Sequence, residues 1–141
     1  MSDAPPPLAR VLESALYVDD LPAARDFYRG VLGGRVLLES PRLVALDIAR
    51  TSVLLLFQRG ATETPQETPG GIVPPHGARG VQHLAFATAR ALLGDWETHL
   101  REHGVGIESR VRWPRGGESL YFRDPDGHSI EILTPGLWET Y

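Results

Sequence analysis

The sequence predicts an α+β fold built from two βαβββ modules, and three observations carry that prediction. Short β-rich runs flank one amphipathic helical stretch, the same order of runs occurs twice, and a Pro-, Gly- and Thr-rich stretch separates the copies. With 141 residues the chain suits one domain that buries a core without covalent staples.

Residues 1–10 carry Pro5-Pro6-Pro7 and no apolar run, and read as a short disordered leader on a cytoplasmic protein. The first module, 11–58, opens with a strand over Val11 to Val18. Asp19-Asp20 then offer N-caps and Pro22 fits a first helical turn. Ala24, Phe27, Tyr28, Val31 and Leu32 recur at helical spacing, and Gly33-Gly34 stops the helix. Three β-rich runs follow, Arg35 to Glu39, Leu43 to Ile48 and Ser52 to Gln58.

Residues 59–79 hold almost no apolar side chains before Ile72-Val73 and read as a linker loop. The second module, 80–134, repeats the order. It has a strand over Val81 to Ala87, a helix with Leu93, Trp96, Leu100 and His103 on one stripe, and a strand over Val105 to Val111. Strands Ser119 to Arg123 and Ser129 to Leu133 close it, joined by the turn Asp124-Pro125-Asp126-Gly127. Residues 135–141 form a tail in which Trp138 could anchor a partner or cover the chain's own sheet. Glu13 precedes Gly33 by 20 residues and His83 precedes Gly104 by 21, so Glu13 and His83 hold equivalent positions. Two copies are too few for a solenoid, and a duplicated module explains them better.

A net charge of −4 offers no basic surface for nucleic acid or anionic membrane, and no apolar run is long enough to span a bilayer. A small-molecule partner is the expectation that remains. Without cysteine, any metal must be held by His and carboxylates.

Strand alternation puts Val11, Glu13, Ala15 and Tyr17 on one face, and Val81, His83, Ala85 and Ala87 on the matching face of the second module. Glu131, between Ile130 and Ile132, points away from both isoleucines. A strand Glu is usually solvated and an inward His usually a hydrogen-bonded core residue. If all three face one cavity, however, a divalent cation removes the cost of burying them unpaired. One imidazole and two carboxylates suit Fe, Mn, Ni or Zn, with coordination positions left for a ligand.

Three segments carry a family resemblance that spans Val11 to Leu133. They are Leu16-Tyr17-Val18-Asp19-Asp20-Leu21 with Phe27-Tyr28 and Leu32-Gly33; Gly80-Val81-Gln82-His83-Leu84-Ala85-Phe86; and Tyr121-Phe122-Arg123-Asp124-Pro125-Asp126-Gly127-His128-Ser129-Ile130-Glu131. The sequence resembles the vicinal oxygen chelate superfamily, which groups glyoxalases, bleomycin resistance proteins and dioxygenases. The resemblance implies a mixed, curved sheet around a metal-binding cleft, with Glu13, His83 and Glu131 as ligands. It also implies a homodimer with shared sites, and a substrate that offers two adjacent oxygens.

The first ligand position in the superfamily more often holds His, so Glu13 makes this site more anionic. A fourth ligand of glyoxalase I enzymes falls nearest to Leu55, which cannot bind metal. That moves the expectation towards three-ligand members, the extradiol dioxygenases and the fosfomycin-type thiol transferases. In both groups a Tyr stands where Tyr121 stands here. Tyr121 is a candidate catalytic hydrogen-bond donor, Arg115 a candidate substrate-binding residue at the cavity rim, and His76 a candidate general base from the inter-module loop. His99, His103 and His128 fall at helix or turn positions that solvent normally reaches. The competing reading is a metal-free drug-binding dimer of the bleomycin-resistance type, which the presence of all three ligand candidates disfavours.

Overall fold

A computed structural model describes residues 3–141; of the expected leader, Met1 and Ser2 lie outside the described residues. The chain forms β1 (Glu13–Val18), α1 (Leu21–Gly30), β2 (Arg35–Glu39), β3 (Leu43–Ile48), β4 (Ser52–Gln58), β5 (Gln66–Thr68), β6 (Gly71–Val73) and β7 (His83–Ala87). A 3-10 turn over Arg90–Leu92 then leads into α2 (Leu93–Glu102), β8 (Ser109–Arg112), β9 (Glu118–Arg123) and β10 (Ser129–Leu133). Two four-stranded sheets result, ordered β1-β4-β3-β2 and β7-β10-β9-β8. In each, the first strand pairs in parallel with the last and the remaining pairs are antiparallel.

Helix α1 starts where the sequence expects. The Asp20 carboxylate accepts from Ala23 N at 3.1 Å and a Pro occupies the first turn, while Gly33 takes φ 73° beyond the last turn. Its face of Leu21, Ala24 and Tyr28 is buried. One apolar core joins both modules: Leu16, Val18, Leu46, Leu54 and Leu56 from the first meet Leu100, Leu120, Phe122, Ile130 and Ile132 from the second.

Two expectations are corrected. The linker is not structureless, because Thr68 to Gly71 turns β5 onto β6, helped by Thr68 Oγ1 donating to Gly71 O at 2.7 Å. The strand expected from Val105 begins only at Ser109. Val105 N instead donates to Leu100 O at 2.8 Å, so that this segment closes α2 while Val105 and Ile107 pack on the core.

The module junction rests on the turn after β9. His128 is fully buried, contrary to the expectation of a solvent-reached turn histidine. Its Nδ1 accepts from Gln82 N at 3.0 Å, which requires the proton on Nε2, and Nε2 donates to Tyr17 O at 2.8 Å. Asp124 accepts from His128 N at 2.8 Å and from the Tyr28 hydroxyl at 2.7 Å. The tail turns back on the β8–β9 hairpin, with Gly117 N donating to Gly136 O at 3.1 Å and the Tyr141 hydroxyl to Thr88 O at 3.0 Å, and leaves Trp138 exposed. Among the described residues no helix is long and apolar enough to cross a membrane.

Candidate metal centre

Each sheet packs one face on the core and leaves the other open, so the side chains alternate as the sequence expects. Glu13 and Ala15 are exposed on β1, and His83, Ala85 and Ala87 on β7. The register makes the duplication explicit. Glu13 stands opposite Val53 and Ala15 opposite Leu55, while His83 stands opposite Ser129 and Ala85 opposite Glu131. Glu13 is therefore the counterpart of His83, and Leu55 the counterpart of Glu131.

On the second module's open face, His83, Tyr121 and Glu131 come together. His83 Nδ1 lies 2.9 Å from Ser129 O, and because a carbonyl only accepts, the neutral imidazole carries its proton on Nδ1 and its lone pair on Nε2. That bare Nε2 lies 3.4 Å from Glu131 Oε1. Two acceptors thus face each other, too far apart for a good hydrogen bond and unfavourable unless a positive charge lies between them. The separation matches two donors each about 2.0–2.2 Å from one cation at a roughly tetrahedral angle, so these residues fit a divalent metal.

Glu131 is buried, and its other oxygen is committed: the Ser119 hydroxyl donates to Oε2, and Trp113 Nε1 donates to Ser119 Oγ at 2.8 Å. This chain of donors aims Oε1 at His83. Tyr121, directly opposite Glu131 in the ladder, lies alongside His83 with ring centroids 6.3 Å apart. Burial, and secondarily the Glu131 carboxylate, push its phenol above the ordinary tyrosine range, so it stays a neutral donor.

The remaining candidates lie elsewhere. Glu13 sits on the first module's open face, and among the described residues no three His, Cys, Asp or Glu side chains gather as a metal-binding group. Arg115 is exposed in the β8–β9 hairpin. His76 lies over the first module, with its Nδ1 2.6 Å from the Tyr17 hydroxyl. Sequence reasoning missed Ser119, although it shares a strand face with Tyr121 at period two. It also missed the buried role of His128, because a turn sequence says nothing of what packs over it.

The model of the Glyoxalase/Bleomycin resistance protein/Dioxygenase superfamily matches residues 9–132. The chain belongs to that superfamily. Among curated superfamily relatives, biphenyl-2,3-diol 1,2-dioxygenase 3 of Rhodococcus globerulus is 34% identical over 127 residues, or 87% of this chain. The chain spans only 62% of that dioxygenase's length. The metallothiol transferase FosB of Staphylococcus saprophyticus is 27% identical over 85% of this chain and 73% of its own. Among solved structures, a lactoylglutathione lyase from Agrobacterium tumefaciens superposes with a TM-score of 0.86 at 36% identity, covering 95% of this chain and 99% of the lyase.

Proposed function

We propose that the chain is a metal-dependent enzyme of the extradiol dioxygenase or thiol transferase kind, acting on a small substrate with two adjacent oxygens. His83 and Glu131 of one subunit and Glu13 of a second copy would hold the cation. The observation that carries this reading is the bare His83 Nε2 facing a buried carboxylate oxygen at 3.4 Å. Exposed Val11 and Val81, at equivalent places two residues before Glu13 and His83, support a second copy covering both open faces.

When bound, the cation supplies Lewis acidity and a template for the substrate oxygens. The protein does the rest. Ser129 O fixes the His83 tautomer, Ser119 and Trp113 orient Glu131, and Tyr121 donates a hydrogen bond to a substrate oxygen as negative charge develops there. Leu55 leaves the site without a fourth protein ligand, which favours substrates that take several positions, such as the diol and the thiol-transfer substrates named for two relatives. It weakens a lyase reading despite the structural similarity to the lactoylglutathione lyase.

Protein purified without chelator should carry about one divalent ion per chain. His83→Ala and Glu131→Ala should each lose it. Mixing Glu13→Ala with His83→Ala chains under conditions of subunit exchange should restore part of it, since one kind of mixed site has all three ligands. Full metal content in both His83→Ala and Glu131→Ala would refute the site, and a metal-free wild type that binds aromatic drugs would instead support the resistance-protein reading.

A further inference from the structure

The face of the first module that bears Glu13 is laid out in three rows across its strands, open at Glu13 and Ala15 and closed over Ala45 and Phe57. Glu13, Val53 and Asp47 form the first, Ala15, Leu55 and Ala45 the second, and Tyr17, Phe57 and Leu43 the third. The first row carries the carboxylates, the middle row is small and apolar, and the third is aromatic.

His76 completes the third row and is held there firmly. Its backbone N donates to Thr62 O at 2.9 Å, and its carbonyl accepts from Thr62 Oγ1 at 2.6 Å. Its ring meets the edge of Phe57 with centroids 4.7 Å apart, and Phe57 in turn stacks on Tyr17 at 5.7 Å. Tyr17 is fixed from both sides of its backbone: Gln82 Oε1 accepts from its N at 3.0 Å, while His128 Nε2 and Arg59 Nη2 donate to its O at 2.8 and 3.0 Å. Burial raises the Tyr17 phenol above its usual range and keeps it protonated. At 2.6 Å the phenol, the better donor of the two neutral groups, donates to His76 Nδ1, which leaves the proton of the imidazole on Nε2.

Tyr17 lies four residues beyond Glu13 on one strand, about 13 Å away at roughly 3.3 Å per residue, which puts the pair beyond proton-transfer reach of a group held at the Glu13 row. His76 is thus misplaced for the general-base role that the sequence suggests. We propose instead that Tyr17 and His76 form a second recognition point at the far end of the cleft, with His76 Nε2–H donating to a neutral hydrogen-bond acceptor. Resting on the metal-site reading for its other end, this narrows the substrate class. It is an elongated molecule with two adjacent oxygens at one end, a flat apolar body over Ala15 and Leu55, and a carbonyl or hydroxyl oxygen at the other end. Tyr17 acts as a positioning residue through the His76 tautomer.

The test separates the two ends. On chelator-treated, metal-free protein, acetophenone should bind more tightly than ethylbenzene, which has a similar shape but no acceptor, and should shift the His76 imidazole resonance. That preference should be about 5- to 10-fold, as expected for one hydrogen bond of about 1 kcal/mol, and should vanish in His76→Phe. In Tyr17→Phe the preference should shrink as the tautomer is released, while circular dichroism stays unchanged. On Fe(III)-loaded protein, biphenyl-2,3-diol with a 4′-acetyl group should then bind more tightly than biphenyl-2,3-diol, read from the catecholate-to-iron absorption, and His76→Phe should remove the difference. Equal binding of acetophenone and ethylbenzene, or a preference that survives in His76→Phe, would overturn the proposal. An acetophenone preference that stands while catechol itself gives no absorption band would instead refute the metal site alone.

Discussion

Whether a phenol beside a metal site is a donor or an onlooker depends on its protonation state. Tyr121 is held neutral by partial burial and by the Glu131 carboxylate, so it can donate across the pH range in which the protein functions. Tyr121→Phe should leave metal content unchanged and lower kcat by roughly 100-fold on whichever diol the wild type turns over, as measured in parallel by metal analysis and steady-state kinetics. Ser119 offers the contrasting case, since it touches Glu131 and not the open cleft. Ser119→Ala would free Oε2 to swing away from its fixed direction, and apparent metal affinity should fall about 10- to 100-fold. A titration showing unchanged affinity would make Ser119 a packing residue only.

At the scale of elements, what the sequence reveals follows physical range. The start of helix α1 could be read from Asp20 and Pro22, which act locally, whereas the stripe to Leu32 overran its end at Gly30 by two residues; the open faces of β1 and β7 followed from period-two alternation. The β5–β6 hairpin was hidden because Gln66-Glu67-Thr68 and Gly71-Ile72-Val73 are fully exposed and carry no alternation. The late start of β8 was hidden as well, since Val105 and Ile107 look like strand residues but serve the end of α2. The same long-range blindness concealed the seat of the tail. A Cβ on Gly117 would stand 2.7 Å from the carbonyl carbon of Gly136, which itself has φ 115°. Gly117→Ala must therefore push the tail off the β8–β9 hairpin, with a stability loss of about 1–3 kcal/mol by overpacking. Equilibrium denaturation should show that loss, and limited proteolysis should show faster cleavage after residue 135; a melting curve identical to wild type would show that the tail contact yields freely.

For the whole molecule, the question is what holds two copies of one module in a fixed relation when each sheet leaves a face open. The duplicated register was visible in the spacing of Glu13 and His83 from their glycines. The partition of the candidate ligands was implied only by the family resemblance, as sites shared between subunits, because residues on two separate open faces look alike in sequence to residues in one cleft. The junction itself depends on a buried polar cluster in which Tyr28 of the first module donates to Asp124 of the second. Burial, then the charge of Asp124, raise the Tyr28 phenol far above the ordinary tyrosine range. In the unfolded chain the same phenol ionises near about pH 10. Below that value both states carry the proton and the contribution of Tyr28 is fully present. Above it the unfolded state gives up a proton that the folded state keeps, so stability falls as pH rises, by up to about 1.4 kcal/mol per pH unit for one proton. Urea unfolding followed from pH 8 to 11 should therefore show wild-type stability dropping through the alkaline range. Tyr28→Phe should start about 1.5–3 kcal/mol lower at pH 8, because the buried Asp124 loses a donor. Its curve should then fall less steeply above pH 10 by about one proton's worth, so that the two curves converge. Parallel curves across that range would mean that Tyr28 does not stay protonated in the fold.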